Sequence, residues 1–369
     1  MALNVNELIP EFRLADAQAF LESQPIEQLQ YSRHFPEQYT SDLSFSQIEA
    51  ETGAKVAADV VAFNSRAPRK GRPLPGKASG AIPKIEIARD KVETDFNTYR
   101  KLMNDLRLVN DTAYTNVAQQ VVNWIYGDQT FVVNGVQARL EWLAKQAASQ
   151  GKYSLTLINN EAGVQTKVDV DFGIPSGNIL KMAAANRKWS VTATSDPIAD
   201  FKRVRDEARK SGKILKYATM DQATFENMVA SPAFQKATAS YVANAMNLQT
   251  QPSQEQANMT LRAAGLPTII IWESSVIIEG KDGSHTDNSG WVPGNISFTV
   301  SDIIGSTQYT TSADEFVQVG KAQKTKSGIV LVKTWGEEDP ITVITKGVAY
   351  ATPVLSSATG TFILQTEVS

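Results

Sequence analysis

The longest regular run of apolar positions lies in the middle of the chain, where Tyr114, Val117, Val121 and Trp124, then Val136, Leu140, Leu143 and Ala147 recur at helical spacing. The run predicts one long helix from Tyr114 to Ala147, roughly 50 Å long if unbroken at about 1.5 Å per residue. Gly127-Asp128 and Asn134-Gly135 are points where such a helix would bend or divide. Upstream the pattern is different. Residues 1–40 are polar and weakly periodic, with Leu14, Phe20 and Leu21 anchoring at most a short helix, and they read as an extended arm. Leu43, Phe45 and Ile48, then Val56 to Phe63, are strand-like; Ala67 to Gly80 is rich in Pro and Gly; and Ile82, Ile85 and Ile87 return in alternation. Two extended legs with a stiff tip predict a long protruding hairpin. Lys152 to Asp171 alternates like a second hairpin, with Glu161-Ala162-Gly163 near its turn.

Downstream of Trp189 the helices are punctuated by their caps. Asp196 precedes Pro197 at a first helical position, Ile198, Phe201, Val204 and Ala208 form one apolar face, and Gly212 ends the element. A short strand is expected over Ile214 to Tyr217, helix starts at Asp221 and Ser231-Pro232, and a capping box at Ser253 and Gln256 opens a helix that ends at Gly265. Thr268 to Trp272 and Ser275 to Ile278 read as strands, and the remainder is mainly strand and turn. Helices and strands without strict alternation predict an α+β fold, and no internal repeat is evident.

At 369 residues and 42% hydrophobic content, the chain is long enough to divide into two cored lobes. It has no cysteine, which removes disulfides and thiolate metal sites, and its first residues lack the charged-then-apolar pattern of an export signal. No apolar run approaches the roughly 20 residues that cross a bilayer, so no membrane role is expected. The formal charge of −3 hides an uneven layout. Residues 1–60 carry ten acids against three basic residues, a net −7, whereas residues 66–91 carry eight basic residues against Glu86 and Asp90, a net +6. An acidic arm beside a basic hairpin suits head-to-tail contact between copies, and it equally suits two solvated surfaces.

Residues 71–78, Gly-Arg-Pro-Leu-Pro-Gly-Lys-Ala, approach a phosphate-binding loop, but Ala78 stands where a Ser or Thr would hold magnesium. Pro73 and Pro75 also remove N–H groups that such a cradle needs. Asp171-Phe172-Gly173 spells a kinase triplet without any of its companions, and reads as a strand end and turn. Any His-based triad or zinc site would rest on the two loop histidines, His34 and His285. Gly280 to Gly290, with Asp282, His285 and Asp287, lacks the spacing of a calcium loop and is expected to be a solvated hairpin tip. Between Arg66 and Lys91 there is no aromatic residue, so a stacking platform for single-stranded nucleic acid is missing.

One ordered set of segments carries a resemblance. Glu141-Trp142-Leu143-Ala144-Lys145-Gln146-Ala147 is stopped at Gly151; Val168-Asp169-Val170-Asp171-Phe172-Gly173-Ile174-Pro175 follows; beyond Trp189 come Asp196-Pro197-Ile198-Ala199-Asp200-Phe201 and Tyr217-Ala218-Thr219-Met220. This order resembles the lambda-type major capsid protein E family of tailed bacteriophages. The resemblance implies the α+β Hong Kong 97 fold, with an N-terminal arm at 1–40, an extended hairpin loop at 41–95, a peripheral domain with its spine helix at 96–189, an axial domain at 190–327, and C-terminal strands at 328–369 returning to the peripheral domain. It also implies a structural subunit, not an enzyme, with no cofactor, catalytic residue or metal site. Such a subunit would be made in the bacterial cytoplasm and built into the virion as hexamers and pentamers of an icosahedral head around packaged double-stranded DNA. The short arm implies a separate scaffolding protein, alongside a portal and a decoration protein. Arg66, Arg69, Lys70, Arg72, Lys77 and Lys84 are the expected inter-subunit contacts of the loop. Some family members link lysine to asparagine between subunits, and Lys70, Lys77 and Lys84 are candidates by position. A cellular nanocompartment shell of the same fold, recognised by enzyme cargo, is the nearer alternative; a carboxylate enzyme with paired acids in a pocket is the more distant one.

Overall fold

In the computed structural model, the described residues are 2–23, 29–49, 76–108, 111–155, 160, 168–182, 184–242, 251–279, 285–317 and 320–368. The first forty residues supply β1 (Ala2–Leu3), α1 (Val5–Leu8), α2 (Leu14–Ser23), α3 (Tyr31–His34) and β2 (Glu37–Tyr39). Next come β3 (Ser44–Glu49), β4 (Gly76–Ala81), β5 (Lys84–Lys91), α4 (Glu93–Leu108), α5 (Asp111–Gln150), β6 (Lys152–Ser154), β7 (Asp169–Asp171) and β8 (Ile179–Lys181). The second lobe adds α6 (Pro197–Lys210), β9 (Tyr217–Met220), α7 (Gln222–Ala230), α8 (Pro232–Val242), α9 (Gln254–Ala263), β10 (Thr268–Ile271), β11 (Val276–Glu279), β12 (His285–Asn288) and β13 (Asn295–Thr299). The chain closes with β14 (Gly305–Thr310), α10 (Ala313–Phe316), β15 (Gln323–Ser327), β16 (Val330–Glu338), β17 (Ile341–Leu355) and β18 (Phe362–Gln365).

The predicted long helix is α5, and its 40 residues run without a break. Both expected weak points are helical because tertiary packing outweighs propensity. A helical glycine costs about 1 kcal/mol relative to alanine, whereas burying a large apolar side chain contributes about 1.5–3 kcal/mol. Val132, Val133, Val136, Leu140 and Leu143 of α5 are all buried. Gly135 serves the packing directly: a Cβ there would lie 2.8 Å from the Ile87 side chain of β5. Gly347 of β17 does the same from below, where a Cβ would lie 2.9 Å from the Val132 carbonyl oxygen. Gly151, at φ +71°, ends the helix as expected.

Beneath α5 lies a seven-stranded sheet in the order β1-β16-β17-β14-β2, with β15 also on β16 and β5 also on β17. The fifteen residues of β17 are long enough to pair with β16, β5 and β14 in turn. The apolar alternation at Ile85 and Ile87 therefore does not continue the protruding hairpin. Those residues belong to β5, which runs antiparallel to β17 and packs its isoleucines into the core around α5. The described part of the hairpin is β3 against β4, from Ser44 opposite Ala81 to Glu49 opposite Gly76.

The N-terminal segment differs from an extended arm, because its short elements pack on their own chain. Asn4 and Glu7 form a capping box for α1, while Val5, Ile9, Phe12 and Ala17 are buried with Val121, Ile125 and Tyr126 of α5 and with Val343. Elements this short show no periodicity, which is why the sequence pattern looks featureless there. α4 was not legible either: it lays Phe96, Tyr99, Leu102, Met103 and Leu106 on the first half of α5, and no residue of it is fully buried.

The second lobe has its own core and a five-stranded sheet in the order β10-β9-β13-β18-β8. Alternation selects the buried face: Ala218 and Met220, Ile296 and Phe298, and Phe362 and Leu364 meet the helices. The caps read from sequence are present. Asp196 accepts from Ala199 N at 3.1 Å, and Ser253 with Gln256 forms a full capping box. The strand expected over Ile214 to Tyr217 begins only at Tyr217, because residues before it lead into the ladder through a single pair of bonds at Lys216.

Candidate subunit-contact surfaces

Among the described side chains of the β3–β4 hairpin, Phe45 ties its root to the body. Phe45 is buried, 6.3 Å from the Phe172 ring, and it lies so close to Gly80 that a Cβ there would come within 2.8 Å of it. Just before the hairpin, Leu43 is exposed. Arg66, Arg69, Lys70 and Arg72 lie outside the described residues, and Lys77 is placed in β4, opposite Ile48, by its backbone alone. Lys84 stands apart from them on β5, opposite Tyr350. Its ammonium is 2.6 Å from Glu86, which also meets Lys346 at 2.5 Å. The hydrogen bond to Glu86 raises the Lys84 pKa; burial pulls the Glu86 carboxyl upward, but the two lysines outweigh it and leave it below its ordinary value.

Three distant segments meet at Glu141 of α5. One carboxylate oxygen accepts from the Tyr31 N–H at 2.7 Å, and the other accepts from the Trp272 indole and the Ser274 hydroxyl. One turn on, the Lys145 ammonium donates to the Ser274 carbonyl and sits 5.9 Å from the Trp272 ring centroid. A buried carboxylate needs such donors, because charge taken out of water without them is strongly destabilising. The junction therefore ties the N-terminal segment, the spine helix and the exit from β10 at one point.

His34 is part of this junction and not a loop histidine. It is buried in α3, its Nδ1 is 2.7 Å from the Asp302 carbonyl, and its ring centroid is 4.8 Å from that of Trp272. Burial pulls its pKa below the ordinary 6.5. His285 is exposed at the start of β12. Among the described residues, no three His, Cys, Asp or Glu side chains are grouped to hold a metal ion. Asp171-Phe172-Gly173 is a strand end and turn: Gly173 has φ +71° and its N–H donates to Asp171 Oδ1 at 2.8 Å.

Of the expected solvated tip at Gly280 to Gly290, residues 280–284 lie outside the described residues, His285 and Ser289 are exposed, and Gly290 is buried against Trp142. Asn288 accepts from the Trp142 indole at 3.2 Å, Gln146 donates to the Gly290 carbonyl at 2.5 Å, and Asn295 donates to the Ser149 carbonyl at 2.9 Å. The second lobe thus caps the C-terminal end of the spine helix, whose last carbonyls have no partner within the helix.

The outer strands of the smaller sheet are protected differently. On β10, the Asn258 side chain occupies the outward N–H and carbonyl of Ile269. β8 instead ends its edge on the exposed Lys181.

The family profile described as phage major capsid protein E matches residues 17–366. No curated protein matches the sequence. Among solved structures, the chain is similar to a protein described as a prophage capsid protein from E. coli CFT073, at 17% identity and a TM-score of 0.56, with 99% of each chain covered. It is also similar to a phage-related protein from Bordetella bronchiseptica RB50, at 12% identity and a TM-score of 0.51, covering 95% of this chain and 96% of that one. Both likenesses concern the fold. No helix among the described residues is long and apolar enough to cross a membrane. With the family profile spanning nearly its whole length, the chain belongs to the phage major capsid protein E family, the structural shell proteins of the virion.

Proposed function

We propose that this subunit tiles an icosahedral phage head as hexamers and pentamers around double-stranded DNA, using the hairpin within the 41–95 segment, which returns to the body by Ala81, as its reach onto neighbouring copies. A separate scaffolding protein, a portal and a decoration protein complete the assembly. The observation that supports the reading best is the β3–β4 hairpin: it leaves a cored body, and among its described side chains Phe45 is the one buried back in that core. A hairpin with so little of its own to bury gains its order from contact elsewhere. Arg66, Arg69, Lys70, Arg72 and Lys77 are proposed contacts of its outer part, against the acidic N-terminal surface of a neighbour. Lys84 is proposed as a contact only through its exposed ammonium, which its own chain already engages. Residues 1–40 serve as the arm, 96–189 and 328–369 as the peripheral domain, and 190–327 as the axial domain. Nothing in the comparisons favours the nanocompartment alternative.

The test is to delete Arg66 to Pro75 and follow assembly with and without the co-expressed neighbouring gene products. The subunit should remain folded and form no regular shells. Wild-type particles from the deletion would remove the proposed role of the hairpin. Arg69, Lys70 and Arg72 changed together to Glu should weaken assembly more at low salt than at high.

A further inference from the structure

Two connectors between the lobes pass the same short helix. Trp272 to Ser275 leads from β10 of the small sheet to β11, whose Val276 joins the core around α5, and Val300 to Ile304 leads from β13 to β14 of the large sheet. α3 touches both. The Ile304 N–H donates to the His34 carbonyl at 2.8 Å, the His34 ring donates from Nδ1 to the Asp302 carbonyl at 2.7 Å, and that ring packs on Trp272 with centroids 4.8 Å apart. At four residues α3 is too short to be stable alone, so its seat depends on these contacts and on the buried Tyr31 and Phe35.

The seat suits a neutral imidazole. His34 is 1% exposed, and with Nδ1 engaged by Asp302 its Nε2 has no hydrogen-bond partner among the described residues. A second proton would turn Nε2 into a buried, charged donor with nothing placed to accept from it. The surrounding charges do not remove that cost. Burial is the largest influence and holds the imidazole below its ordinary 6.5; Arg33 on the same helix acts in the same direction, while the bond to the Asp302 carbonyl and the carboxylates of Asp302 and Glu141 oppose them. Lys145 of α5 lies 5.9 Å from the same Trp272 ring, and Glu37 of β2 adds its field at Tyr31. Once α3 leaves its seat the ring meets water and takes the proton freely.

We infer that His34 is an acid-released latch: neutral, it pins α3 across both connectors, and protonated, it favours α3 off them, freeing this part of the N-terminal segment from the junction between the lobes. The contribution of the latch is fully present above pH 6.5, the ordinary value, and is lost as the pH falls through the lower seated one. The latch acts within one free subunit, whatever that subunit builds. The chain contains two histidines, and the other, His285, is exposed at the start of β12, far along the sequence from α3.

The experiment is hydrogen exchange on the free full-length subunit at about pH 7.5 and about pH 5.5, corrected for the intrinsic pH dependence of exchange. The amides of Tyr31, Phe35 and Ile304 are all bonded in the seat and report its opening. Their opening should rise by about threefold to about tenfold at the lower pH, the upper limit being one decade per pH unit below the ordinary imidazole value, while amides of β13 keep their protection. His34→Phe keeps a ring against Trp272 and has no proton to take, so its opening should be alike at both pH values. His34→Asn, which keeps a donor for the Asp302 carbonyl, should behave in the same way. Each protein is compared only with itself, so a lower stability of either variant does not mask the result. Glu37 also titrates toward this window, because burial holds it above its ordinary 4.5, and the two His34 variants separate its contribution from the latch. The inference is overturned if the wild type opens equally at both pH values, if both His34 variants keep the wild-type rise, or if His285→Gln removes it. A rise shared equally by the β13 amides would overturn it in favour of global acid unfolding.

Discussion

The carboxamide of Asn258 pairs with the backbone of Ile269, accepting from its N–H at 2.6 Å and donating to its carbonyl at 3.2 Å. A side chain on α9 thereby acts as the missing strand at the edge of β10. Asn258→Ala should leave the part-buried Ile269 N–H without a partner and its carbonyl with only the 3.4 Å bond from Gln254, and destabilise the subunit by about 1–3 kcal/mol. It should also raise the aggregation rate of free subunits, since an open strand edge is a template for pairing. Urea unfolding and light scattering check both; an unchanged midpoint and clear solutions would show that the edge needs no cover.

Glu141 accepts from three donors in two distant segments, Tyr31 in one and Trp272 with Ser274 in the other. Glu141→Leu leaves the Tyr31 N–H, the Trp272 indole and the Ser274 hydroxyl without an acceptor, and should destabilise by at least about 3 kcal/mol. Glu141→Gln keeps one acceptor oxygen and should be milder. Hydrogen exchange at the Tyr31 amide should quicken more than exchange in β13 if the contact anchors the N-terminal segment. Equal quickening everywhere would mean the residue acts on global stability alone.

The two glycines at the helix–sheet crossing should respond differently to alanine. At Gly347 a Cβ meets backbone atoms of Val132, which cannot move aside, so Gly347→Ala should destabilise by about 1–3 kcal/mol. At Gly135 the obstacle is the end of the Ile87 side chain, and alanine gains about 1 kcal/mol of helix propensity. Gly135→Ala should therefore be close to neutral. Thermal unfolding distinguishes them, and equal losses would refute the argument from what each Cβ meets.

Burial raises the Asp200 carboxyl above its ordinary 3.8, against the opposing pull of the Trp189 indole bond and Arg203. A raised folded value means that the proton is bound more tightly in the folded state. This contribution is fully present below about 3.8, the unfolded value. It is lost as the pH rises through the folded one. Asp200→Asn, which keeps an acceptor for the Trp189 indole, should remove that component from the pH dependence of unfolding between acid and neutral pH. An identical slope in both proteins would show that Asp200 titrates alike folded and unfolded.

Local signals made much of this fold legible before any coordinates. Asp196 with Pro197, and Ser253 with Gln256, are caps whose partners lie within three residues, and both form as read. The spine helix was legible because its apolar stripe extends over many turns. What stayed hidden depends on distant pairing. The partners of Glu141 lie 110 or more residues away in sequence, so no spacing rule points to them. α4 escapes the sequence pattern because its apolar residues are half-covered and diluted by charge, and β5 reads as part of the hairpin because alternation does not say which strand lies opposite. The basic run at 66–77 was plain as composition, yet only its final residues fall within the described strand β4.

An uninterrupted α5 has a mechanical consequence. Forty residues at about 1.5 Å each make a rod about 60 Å long. Its far end is gripped by the second lobe through Ser149 and Gln146, and its near half is clasped by the N-terminal segment and α4. Tilting such a lever by one degree displaces its tip by about 1 Å. Small angular differences between neighbouring tiles thus become visible shifts at the opposite rim, without any side chain leaving its place in the core.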